Sequence, residues 1–108
     1  MNIQHQDLAA GRWAELSFCE RMANVGSEVS RALNWRVKNR KDYMDKALAR
    51  AFELLELTIK LENSYPRLKE LCRVRECLLD FFCAANSFSM SESFWRKYFD
   101  AFGRAARK

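Results

Sequence analysis

Histidine, glycine and proline are nearly missing from this chain: its 108 residues hold one His, three Gly and one Pro. So few turn formers exclude a strand-and-turn architecture and point to long helices. The single histidine, His5, stands close to the N-terminus. A Ser or Cys nucleophile ordinarily needs a nearby base, and a di-iron bundle needs Glu-x-x-His on two helices. Neither pattern occurs. Cys19, Cys72, Cys77 and Cys83 form no C-x-x-C pair, so zinc-ligand spacing is absent as well. In a reducing compartment these thiols read as small core side chains. No apolar run approaches the roughly 18 residues of a membrane span, and neither a signal peptide nor a glycine-rich phosphate loop is found. These absences predict a cytoplasmic protein that is not an enzyme, takes no metal or cofactor and makes no membrane contact.

What is present is apolar residue at helical spacing. Hydrophobic residues make up 49% and charged residues 31%, a balance that excludes disorder and suits one domain over 1–108. The first helix is predicted to start near Asp7 or just after Gly11 and to run to about Trp35. Its seam is Phe18, Met22, Val25, Val29 and Ala32, and beside it the small residues Ala23, Gly26 and Ser30 would let a neighbour approach closely. After a connection at 36–41, a second helix spans about 42–62. Its charges between Ala51 and Leu61 are confined to Glu53, Glu56 and Lys60, leaving Phe52, Leu54, Leu57, Ile59 and Leu61 around the rest. A helix apolar nearly all round needs cover on several sides, which predicts a protein interface on these five residues and self-association.

Pro66 suits the first turn of a third helix, about 66–85, which buries Leu68, Leu71, Leu78, Phe81 and Phe82. Arg75 falls on its apolar side and needs a carboxylate from another helix, with Glu28, Glu53 and Glu56 the candidates. Otherwise these glutamates, with Glu70 and Glu76, read as helix-surface carboxylates or as partners for Arg31, Arg73 and Arg75. Ser89 and Glu92 have the spacing of a capping box, opening a fourth helix that turns Phe94, Trp95, Tyr98, Phe99 and Phe102 inward. Four helices with short connections predict an all-α, antiparallel up-down-up-down four-helix bundle.

The net charge of +5 is unevenly held. Residues 34–50 carry six basic and two acidic side chains, and residues 93–108 carry five and one. Clustered positive charge favours polyanions. Arg36, Lys38, Arg40 and Lys41 stand beside Trp35, combining cations for phosphates with an indole that can stack on an unpaired base. In an antiparallel bundle Arg96 and Lys97 return to the same end, while Arg104, Arg107 and Lys108 lie at the other. The same residues also fit a solvated loop, an indole capping the bundle and an ordinary basic tail.

The segments Arg50-Ala51-Phe52-Glu53-Leu54-Leu55-Glu56-Leu57 and Leu68-Lys69-Glu70-Leu71-Cys72-Arg73-Val74-Arg75-Glu76 sit in a basic bundle with an unusually apolar central helix. This architecture resembles two related bacterial families. One is the accessory variability protein of diversity-generating retroelements; the other is the four-helix-bundle protein encoded by intervening sequences of 23S ribosomal RNA genes. The mid-chain block of small residues and arginine typical of the latter is missing. The resemblance implies a ring-like homo-oligomer with a basic surface that binds RNA or DNA, and a reverse transcriptase or another protein as partner. A rival from a different class is a protein-binding adaptor or antitoxin-like bundle, whose second helix is the interface and whose charge serves solubility.

Overall fold

A computed structural model of the chain describes residues 11–107. A helical segment at 11–15 leads into α1 (Phe18–Val37), α2 (Lys41–Leu61), α3 (Tyr65–Cys83) and α4 (Glu92–Ala106). Short connections make sequence neighbours antiparallel, so the protein is an all-α antiparallel helical bundle.

The first helix is interrupted where one continuous helix was expected. Ser17 is extended and caps α1: its hydroxyl accepts the Glu20 N–H at 3.1 Å, and the Glu20 carboxylate accepts the Ser17 N–H at 2.8 Å. This reciprocal capping box ends the preceding turn as firmly as it starts the helix. The bonds from Ser17 hold the Glu20 carboxyl below the usual carboxylate range. The segment before the break is docked rather than frayed. Trp13 is buried and donates its indole N–H to the Thr58 hydroxyl of α2 at 2.9 Å, while Arg21 holds the Trp13 carbonyl. Asp7 lies outside the described residues.

The expected seam of α1 is the centre of the core, with Met22, Val25, Val29 and Ala32 at most 1% exposed. Leu55 from α2, Leu71, Leu78 and Phe81 from α3, and Trp95 and Phe99 from α4 join it. Each large apolar side chain removed from water this fully contributes about 1.5–3 kcal/mol. The small-residue row receives α4 closely: a Cβ on Gly26 would stand 2.6 Å from the Phe99 Cβ. Tyr98, on the next face of α4, donates to Glu70 of α3; burial and that carboxylate push its ionisation well above the ordinary tyrosine range.

The fourth helix starts two residues later than the sequence suggested. Ser91, not Ser89, is its N-cap, with its hydroxyl accepting the Phe94 N–H at 3.0 Å, while Ser89 stands in the left-handed region at φ 55°. The preceding loop dictates this. Asp80 accepts the N–H groups of Ser87 and Phe88 at 2.9 and 3.0 Å, and the Asn86 side chain pairs with both the N–H and the carbonyl of Met90.

Three further expectations are revised. Phe94 is 41% exposed, because Trp95 takes the inward position beside it. Of the cysteines only Cys77 is buried, which raises its thiol pKa, and Cys83 is exposed at the end of α3; all four are free. Arg75 does find Glu56, donating to it at 2.6 Å, but the two side chains are 35% and 55% exposed. The bond raises the already high guanidinium pKa, yet this is a surface pair, not a buried one. Around α2, Leu57 is buried, Phe52, Leu54, Ile59 and Leu61 are half-buried, and none is exposed. The docked 11–15 segment supplies part of the cover that four helices alone were not expected to give. No helix among the described residues is long and apolar enough to cross a membrane.

Candidate nucleic-acid interface

The turn between α1 and α2 is a fixed structure rather than a loose basic loop. The Asn39 N–H bonds to the Arg36 carbonyl at 3.1 Å and the Arg40 N–H to the Trp35 carbonyl at 3.0 Å, with Asn39 in the left-handed region at φ 57°. These are the two bonds of a Schellman motif, here closed by asparagine instead of glycine. They place Trp35 and Tyr43 face to face across the turn, their ring centroids 4.7 Å apart and 26° from parallel. Trp35 is half-buried and Tyr43 is 38% exposed.

Cations gather on this pair. The Lys38 ammonium lies 5.2 Å from the Trp35 ring centre, and the Arg40 guanidinium and Lys46 ammonium lie 4.5 and 5.6 Å from that of Tyr43. Exposed contacts of this kind hold a cation by only about 0.5–1 kcal/mol, so each can turn to a phosphate at small cost. The other two cations of the 36–41 connection make contacts away from this pair. Arg36, still within α1, lies 4.6 Å over the Phe81 ring, and Lys41 donates to Asp45 at 2.9 Å, which raises its pKa. Arg40 also stands 3.8 Å from Asp42.

Arg96 comes to the same end of the bundle as the turn, but as a strut. It donates to Ser30 and Asn34 of α1 at 3.3 and 2.9 Å and to Glu92 at 2.9 Å, tying α4 to α1. Lys97 beside it is exposed and has no salt bridge among the described residues. Arg104 and Arg107 belong to a different surface, a groove of about 600 Å³ between α1 and α4 that also includes Ser27, Ser30 and Asp100. Lys108 lies outside the described residues.

Arg31, Tyr43, Lys46, Ala47 and Arg50 join Trp35 on this surface and were not singled out from sequence as part of it. Tyr43, Lys46, Ala47 and Arg50 recur at i, i+3, i+4 and i+7 on α2, and Glu28, Arg31 and Trp35 at i, i+3 and i+7 on α1. Those spacings put each set on one helix face, so the signal was available. Together they line a groove of about 460 Å³ running from the aromatic pair along the α1–α2 seam. Glu28, read from sequence as a surface carboxylate or a partner for Arg31, does pair with Arg31 but is only 9% exposed. One of its oxygens accepts from Arg31 at 2.9 Å, and the other, Oε2, is buried with no hydrogen-bond partner among the described residues.

Among the described residues no group of three or more His, Cys, Asp or Glu side chains is placed to hold a metal ion. No protein-family model, no curated protein and no solved structure matches this chain.

Proposed function

We infer that this protein is a non-catalytic helical bundle that binds RNA or DNA through the turned end of α1 and α2, as an accessory subunit of a nucleic-acid enzyme such as a reverse transcriptase. The observation that carries this reading is the Trp35–Tyr43 stack with Lys38, Arg40 and Lys46 around it on a turn fixed by backbone hydrogen bonds. Cations on loosely held side chains neutralise phosphates, and an aromatic platform accepts bases of any sequence. Arg31 and Arg50 extend the positive surface along the seam, and Lys97 adds to the same end.

The test is fluorescence anisotropy of a labelled single-stranded RNA titrated with the protein, in parallel with a variant in which Lys38, Arg40, Lys46 and Arg50 are changed to Gln. All four are exposed or at the protein surface, so the fold survives the change. Strong loss of binding in the variant supports the reading; equal binding by both proteins contradicts it.

The adaptor reading is favoured by a separate observation. Val37, Leu79 and Phe88 are 65%, 43% and 58% exposed, and Phe52, Leu54, Ile59 and Leu61 on α2 are only half-buried. These side chains are available for contact with a second copy of the chain or with another protein.

A further inference from the structure

The groove between α1 and α2 contains a feature that phosphate binding does not use. Glu28 is an acid placed among Arg31, Lys46 and Arg50, yet only Arg31 is bonded to it. Its Oε2 is buried and unpartnered. A buried carboxylate oxygen left without a donor is costly, and an ionised carboxylate can only accept. What completes it brings N–H or O–H groups, which a water supplies in the free protein and the edge of a ligand can supply in its place. The groove, about 460 Å³, is open to solvent along the α1–α2 seam, wide enough to admit a flat ring from a strand lying across it. Its remaining walls say what else the ligand carries: two aromatic rings, Trp35 and Tyr43, and three cations.

A nucleotide has this combination of flat ring, anionic phosphate and edge donors. Among the four bases, guanine alone presents two adjacent donors, N1–H and the 2-amino group, on its Watson–Crick edge. Adenine and cytosine set an acceptor beside their amino group, and uracil sets acceptors on both sides of its N–H. Those acceptors would face the lone pairs of a carboxylate. We propose that the α1–α2 groove is a pocket for an unpaired guanine nucleotide, with Glu28 on its Watson–Crick edge, Trp35 and Tyr43 against the base, and Lys46 and Arg50 at its phosphates. Arg31 is the gate: it holds Oε1 at 2.9 Å with a side chain that is 60% exposed, and its outward rotation frees the carboxylate for the base. This deepens the nucleic-acid reading and rests on it, because the pocket opens onto the same basic turn.

The experiment compares short unstructured oligoadenylate strands with the same strands carrying one central guanine or one central inosine. The native protein is expected to prefer the guanine strand by about tenfold, the size of a charge-assisted hydrogen bond made or lost. Inosine, which keeps N1–H but lacks the 2-amino group, should fall between. Glu28→Gln should bind all three strands alike, with a salt dependence at least as steep as that of the native protein because Arg31 is released to the phosphates. Because Glu28 is buried, a second variant guards against misfolding: Ala49 lines the groove but is exposed, so Ala49→Leu narrows the pocket without touching the core and should also erase the preference. Equal binding of all three strands by the native protein overturns the guanine pocket and leaves the nucleic-acid reading standing. Competition by arginine amide with no base preference overturns it in favour of a basic side chain from a partner protein. Absence of any RNA binding removes both.

Discussion

Gly26 sets the distance between two helices by having no side chain. Its Cβ would meet the Phe99 Cβ at 2.6 Å and the ring carbon Cγ at 2.9 Å, both atoms close to the α4 backbone. Neither can swing aside as a flexible chain end would. Gly26→Ala therefore forces α4 outward, and despite the better helix propensity of alanine it should cost about 1–3 kcal/mol, read as a lower denaturant midpoint. Arg75 makes the opposite case, a prominent contact of small value. Removing one partner of a buried ion pair costs about 3–5 kcal/mol, but a pair exposed as Arg75 and Glu56 are is worth about 0.2–1 kcal/mol. Arg75→Ala should shift the urea midpoint only slightly. A loss of several kcal/mol would mean that the guanidinium carries packing that its exposure does not suggest. Spacing alone found the partner of Arg75 among three candidates, yet it could not give the depth of the pair, which depends on how far the helices tilt at that level.

Helices were legible as elements because their apolar residues repeat at threes and fours, and their ends were legible only in part. Pro66 marked the start of α3 within a residue. Ser17-x-x-Glu20 is a complete capping signal that the long seam through Phe18 and Met22 concealed, since periodicity continues unbroken across the cap. At α4 two serines competed, and the choice between Ser89 and Ser91 was made by Asp80 and Asn86, residues outside the helix whose side chains build the loop. The α1–α2 turn depends on one residue in the same way. Asn39 at φ 57° closes the Schellman motif that keeps Trp35 against Tyr43. Glycine accepts that conformation freely and a β-branched residue does not. Asn39→Gly should leave stability within a few tenths of a kcal/mol, while Asn39→Val should lower it by about 1–2 kcal/mol. The valine variant should also loosen the aromatic stack, seen as a change in near-ultraviolet circular dichroism around Trp35.

For the molecule as a whole, the positive clusters were visible in the sequence as two charge-dense segments, but their arrangement was not. Of the six cations in residues 34–50, Lys38, Arg40 and Lys46 gather on the Trp35–Tyr43 pair, Arg50 lies further along the α1–α2 groove, and Arg36 over Phe81 and Lys41 on Asp45 make other contacts. Charge counting cannot separate them, because their fates depend on which way each side chain leaves the turn. The apolar girth of α2 is also less bare than its sequence suggests, with Leu57 enclosed and the docked Trp13 segment beside it. The surfaces left for the expected self-association are the half-buried Phe52, Leu54, Ile59 and Leu61 and the exposed Val37, Leu79 and Phe88. Light scattering at tens of micromolar protein is expected to give a mass above the 12.7 kDa of one chain. A monomer mass at that concentration contradicts assembly. The central claim, that the fixed turn rather than overall charge makes the nucleic-acid surface, is tested most directly by the salt dependence of RNA affinity in two variants of equal charge loss. One changes Lys38, Arg40 and Lys46 to Gln; the other changes Arg104, Arg107 and Lys108. Each lost phosphate contact flattens the slope of log affinity against log salt by roughly 0.7–0.9. The turn variant should lose about two to three such steps, and the tail variant should stay close to the native slope. Equal flattening in both variants would contradict the account, since it would mean that the protein binds RNA by its net charge alone.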